Sequence, residues 1–160
     1  MSPGDLQPAR VHASLARLRE LLADLDELVG EPSADKLRTD RALRHITERI
    51  LVQLVEVAVS VNSHIAASQL ERAPTDYRQS FDLAAAAGAV PDELAERLRA
   101  SAGLRNVLVH EYLEIDLALV AESVPKARAG FGAYVREVAR FVQRAEAREP
   151  ARGDETTPDG

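Results

Sequence analysis

Apolar residues recur along this chain at steps of three and four, and the recurrence is broken by a few glycines and prolines. Leu15, Leu18, Leu22, Leu25 and Leu28/Val29 form one stripe and predict a first helix over about residues 7–29. Gly30-Glu31-Pro32-Ser33 stops it, with glycine as the cap and proline beyond. Asp35 and Lys36 then lead towards a second helix over about 39–69. That helix carries two stripes. Leu43, Ile46, Ile50, Leu54, Val57, Val61 and Ile65 make one; Val52, Val55, Val59 and Ala66 make the other. A helix apolar on two faces is covered on two sides. One face enters the core, and the other meets a further helix of the chain or a second subunit. A symmetric dimer with Val52, Val55 or Val59 near its axis is the sharper expectation.

Thr75 or Asp76 can cap a short third helix over about 77–87, closed by Gly88. Pro91 opens a fourth, with Asp92 and Glu93 in its first turn, where the helix dipole favours acids. Leu94, Leu98, Leu104 and Leu108 line it as far as His110. A last helical region runs from Asp116 to about Ala147, lined by Val135, Val138, Phe141 and Val142, and Pro125 should kink or split it. The expected fold is therefore all-α: one antiparallel helical bundle over residues 1–147 with a kinked C-terminal helix. Residues 148–160, rich in Pro, Gly, Thr and acids, read as a disordered tail.

Composition narrows the chemistry. The 160 residues include no cysteine, which removes disulfides, thiolate catalysis and Cys-based zinc sites. Aromatics make up 4%, so Leu, Val, Ile and Ala must build the core. No run of 18 apolar residues predicts a membrane span, and no basic, then apolar, N-terminal stretch predicts a signal peptide; a cytoplasmic location is the default. The net charge of −6 argues against broad electrostatic binding of nucleic acid but leaves room for a local basic cleft. His45-Ile46-Thr47-Glu48 has the His-x-x-Glu spacing of one half of a di-iron site, but the second half is missing, so no metal is expected.

The densest polar stretch inside aliphatic sequence is Arg105-Asn106-Val107-Leu108-Val109-His110-Glu111-Tyr112. A fixed guanidinium can hold a phosphodiester while an imidazole moves a proton. The bare spacing of arginine and histidine is weak evidence, and Arg38 with His45 is a second match. That pair lies in a charged stretch with Asp40, Arg41 and Arg44, in the manner of a solvated helix start. Five residues turn an α-helix by about 140°, so Arg105 and His110 do not share a face of an ideal helix. Either the helix ends or distorts near His110, or a symmetry mate completes the site. The plainer alternative is an Arg–Glu surface network with a half-buried histidine at a helix C-terminus.

The stretch from about Asp40 to Asp116 resembles the HepT-like ribonuclease toxins, a branch of the HEPN superfamily. The resemblance is carried by His45-Ile46-Thr47-Glu48-Arg49-Ile50, Asn62-Ser63-His64-Ile65 and Pro74-Thr75-Asp76-Tyr77-Arg78-Gln79-Ser80-Phe81. It continues through Gly88-Ala89-Val90-Pro91, Leu94-Ala95-Glu96-Arg97-Leu98 and the Arg105–Tyr112 motif. It implies an all-helical homodimer that cuts RNA without metal or other cofactor, with Arg105 and His110 as the catalytic pair and Asn106 orienting them. It implies further that an antitoxin, a minimal nucleotidyltransferase, neutralises the toxin by transferring AMP to Tyr112, as in a type VII-like toxin–antitoxin system. The alternative is a non-catalytic HEPN binding module that scaffolds such a nucleotidyltransferase.

Overall fold

The computed structural model describes residues 4–110 and 114–152, with side chains as far as Arg148. The described residues form six α-helices and no strand: α1 (Pro8–Asp24), α2 (Ala34–Thr39), α3 (Arg41–Leu70), α4 (Tyr77–Ala86), α5 (Asp92–His110) and α6 (Leu117–Arg152). Leu25–Val29 continues α1 as one turn of π-helix, so the first predicted helix is present with its last turn wound wider. Gly30 ends it at φ +64°, a conformation that glycine adopts without a steric penalty.

Local chemistry sets the boundaries. Ser33 Oγ accepts the amide of Lys36 at 3.1 Å and starts α2. Asp40 closes α2 and opens α3, its Oδ1 accepting the amide of Leu43 at 3.0 Å. That backbone donor holds the Asp40 carboxyl below its ordinary value. The second predicted helix is thus preceded by a separate six-residue helix that breaks at Asp40. Of the two candidate caps for the third helix, Asp76 serves: its Oδ1 accepts Gln79 N at 2.7 Å. Asp116 Oδ1 accepts the amides of Ala118 and Leu119 at the start of α6. The chain stays one helix through Pro125, and reaches Arg152 rather than stopping near Ala147.

α3 is the hub, with α1, α4, α5 and α6 packed around it. Cross-links give the directions. Gln7 meets His64 and Arg17 meets Gln53, so α1 runs antiparallel to α3. His12 pairs with Glu146 and Arg128 with Asp26, so α1 and the π-turn run antiparallel to α6. By composition, an 18-residue window of α3 would suit a membrane span, at mean hydropathy 1.5. In the fold Ile50, Leu54, Val61 and Ile65 are buried in the shared core, while Ile46 of the same stripe stays exposed.

The expectation of a subunit interface on Val52, Val55 and Val59 needs correction. These side chains are 8%, 1% and 8% exposed in a single chain, because the second stripe is covered by helices of the same chain. A helix at the centre of a bundle is apolar on two faces for that reason alone.

Three helices are also joined by a buried polar chain. The Tyr134 hydroxyl on α6 donates to Asn62 Oδ1 on α3 at 2.6 Å, with the Ala58 carbonyl 3.2 Å away. Asn62 Nδ2 donates to Ser80 Oγ on α4 at 3.2 Å, and Ser80 Oγ donates to the Tyr77 carbonyl at 2.7 Å. Asn62 and Ser80 are fully buried, so the partners are required. Burial pushes the Tyr134 phenol far up, keeping it a donor at any ordinary pH. Tyr77, where the chain ends, packs against α5 through Arg105.

Candidate active site around Arg105

Arg105 lies on α5, and its side chain is only 15% exposed. Its Nη2 donates to Glu56 Oε1 on α3 at 3.0 Å, and its Nη1 to Asn106 Oδ1 at 3.3 Å. The guanidinium carbon sits 4.4 Å from the centre of the Tyr77 ring, a cation–π stack. The cation is thus held by a carboxylate, an amide and an aromatic face from three helices. Its Nε is buried without a hydrogen-bond partner among the described residues. A planar fork fixed in this way is suited to an anion with oxygens to share.

His110 is the last described residue of α5 and is exposed. The helix is continuous from Arg105 to His110, so the two side chains leave it about 140° apart and about 7.5 Å apart along the axis. Within one chain they diverge. The described part of α5 runs as far as His110, and nothing within it rotates Arg105 towards the imidazole. Asn106 is exposed, and its Oδ1 accepts from Arg105. Glu111 and Tyr112 lie outside the described residues.

The competing pair is separated by a helix break. Arg38, in α2, pairs with Asp35, and His45, in α3, lies 3.4 Å from Arg41 Nε. Arg44 faces Glu48 at 3.9 Å, so this segment forms an ion-paired helix face. His64 has an interior role: its Nε2 accepts the Gln7 amide at 3.0 Å and fixes the start of α1. Burial, aided by Arg10, holds its imidazole below the ordinary value. Among the described residues, no group of three or more His, Asp or Glu side chains gathers to hold a metal ion.

Two site residues escaped sequence reasoning. Glu56 carries a legible signal: a lone carboxylate inside Leu54-Val55-Glu56-Val57, on a helix apolar on two faces, is a candidate partner for a cation of a neighbouring helix. Tyr77 carries none, because its stack on Arg105 joins helices far apart in sequence.

Comparison with known proteins gives the family. The family described as Ribonuclease HepT-like matches residues 18–144. A "tRNA nuclease HepT" of Aphanizomenon flos-aquae is 34% identical over 99 residues, which are 61% of this chain and 66% of that protein. An "mRNA nuclease HepT" of Shewanella oneidensis is 26% identical over 110 residues, 69% of this chain and 81% of that one. Among solved structures, the tri-AMPylated HEPN toxin of Shewanella oneidensis, in complex with MNT antitoxin, superposes with a TM-score of 0.72. The superposition covers 81% of this chain and 96% of the toxin, at 22% identity, a likeness of fold. With a match running from α1 nearly to the end of α6, the chain belongs to the HepT-like ribonuclease family.

Proposed function

We propose that this chain is the toxin of a toxin–antitoxin pair, a metal-independent endoribonuclease acting as a homodimer in the cytoplasm. Arg105 and His110 cut RNA, and a nucleotidyltransferase antitoxin neutralises the toxin by transferring AMP to Tyr112. The observation that carries the reading is the restrained Arg105 cation, held by Glu56, Asn106 and Tyr77. Relatives bearing the names tRNA nuclease and mRNA nuclease support RNA as substrate. A toxin of the same fold bound to MNT antitoxin supports the partner.

The chemistry follows from the residues. Single-stranded RNA brings its own nucleophile, the 2′-OH. His110 takes the proton from that hydroxyl, or returns one to the leaving 5′-oxygen. Arg105 stabilises the extra charge on the phosphorane-like transition state. The divergence of the two side chains on α5 argues for a site shared between two copies, in which Arg105 of one chain works with His110 of the other.

One observation favours a second reading, a non-catalytic HEPN module: Arg105 already has a counter-ion in Glu56. Incubation of the purified chain with RNA in excess EDTA separates the two. Fragments formed by the wild type and lost in His110→Ala support the enzyme; intact RNA in both supports the module.

A further inference from the structure

We propose that Arg78 binds a phosphate of single-stranded RNA beside the scissile one, on the face of α5 that ends at His110. The proposal rests on the RNA-cleavage reading above. Arg78 stands in the first turn of α4, next to Tyr77, and its side chain is exposed. α4 packs along α5, and Asp82 pairs with Arg99 at 3.6 Å two turns from the motif. One turn back along α4, Arg78 lies over Gly103: a Cβ there would fall 2.6 Å from Arg78 Nη2. The missing side chain at Gly103 is what lets the guanidinium lie against the helix.

The neighbouring cations are occupied, Arg99 by Asp82 and Arg105 by Glu56. Arg78 has no hydrogen bond or ion pair among the described residues. Seven residues turn an α-helix by about 700°, so Gly103 and His110 lie within about 20° of one another around α5, about 10.5 Å apart along it. Asn106 and Val107 lie on the same stripe. A cation at one end of this stripe and an imidazole at the other form a track along which an extended nucleic-acid backbone can lie, one phosphate at each. In a chain of net charge −6, an unpaired arginine at this place supplies local attraction that the molecule as a whole lacks.

The test uses the full chain and a fluorescent single-stranded oligonucleotide with 2′-O-methyl groups, which cannot supply the nucleophile and is not cut. Binding is followed by anisotropy across a salt series, and cleavage of the unmodified RNA is measured in parallel. Arg78→Ala should weaken binding about tenfold and flatten the log–log salt slope by about 0.7, the share of one phosphate on a single strand. The same variant should raise KM and leave kcat within about twofold. Gly103→Ala keeps every charge and favours the helix, yet its methyl displaces Arg78, so binding should fall about threefold. It keeps the question open to test should Arg78→Ala fold poorly. Wild-type affinity and slope in both variants, with RNA cleavage by the wild type intact, overturns the role of Arg78 and leaves the ribonuclease reading standing. Arg78-dependent binding without any cleavage keeps the phosphate site and removes the ribonuclease reading. A wild type that neither binds nor cuts overturns both.

Discussion

Arg105 lies with its guanidinium 4.4 Å from the centre of the Tyr77 ring while its Nη2 bonds Glu56 at 3.0 Å, so one cation is fixed from two sides by α4 and α3. The stack limits how far the fork can turn, and Glu56 sets where its edge points. Tyr77→Leu removes the aromatic face and should lower kcat by roughly 5- to 30-fold, the equivalent of a cation–π contact of about 1–2 kcal/mol. Tyr77→Phe keeps the face and should stay within about twofold of the wild type. Equal losses in both variants would mean that the hydroxyl, not the ring, is what matters.

The Tyr134–Asn62–Ser80 chain is expected to matter for stability first. Tyr134→Phe leaves Asn62 Oδ1 buried without its 2.6 Å donor and should cost about 1–3 kcal/mol. Urea unfolding of the two proteins measures this directly. An unchanged midpoint would show that the Asn62 carbonyl finds another partner.

Stability should also fall in mild acid through His64. Its folded imidazole is held below the ordinary value of 6.5, so below about pH 6.5 the unfolded chain binds a proton that the folded chain resists. The stabilisation is present above 6.5 and is lost as pH falls towards the folded value. Protonation would also end the acceptance of the Gln7 amide. His64→Gln should flatten the pH dependence of the unfolding midpoint between pH 7 and 5; an unaltered slope would put the acid sensitivity elsewhere.

If the site is shared between subunits, light scattering should give about twice 17.4 kDa. Refolding Arg105→Ala together with His110→Ala should then restore part of the cleavage activity, because one site of the mixed dimer pairs an intact Arg105 with an intact His110 across subunits. No recovery in a confirmed mixed dimer would mean that each chain uses its own pair.

The helices could be read in the sequence because this core is built from aliphatic stripes with glycine, proline and acidic caps between them. α2 could not: six residues carry one buried apolar side chain, Leu37, too few for a period. The two stripes of α3 were legible, but periodicity does not say whose side chains cover a face, and Val52, Val55 and Val59 turned out to face their own chain. Arg105, Asn106 and His110 could be picked out as polar groups in an apolar run. Their environment could not, since Glu56 and Tyr77 reach Arg105 across tertiary distance, and Arg78 depends on an absent side chain at Gly103.

The central claim is that Arg105 and His110 cut RNA without a metal ion. Its most direct test is the rate of RNA cleavage in excess EDTA by the wild type, Arg105→Ala and His110→Ala, with Arg38→Ala and His45→Ala as controls. The wild type and both controls should cleave at similar rates. Each motif variant should lose about 10²-fold or more, as expected for removing transition-state charge stabilisation or proton transfer, with helical content unchanged. Strict dependence on magnesium or manganese, or loss of activity in the Arg38 and His45 variants with Arg105 and His110 dispensable, would contradict the account.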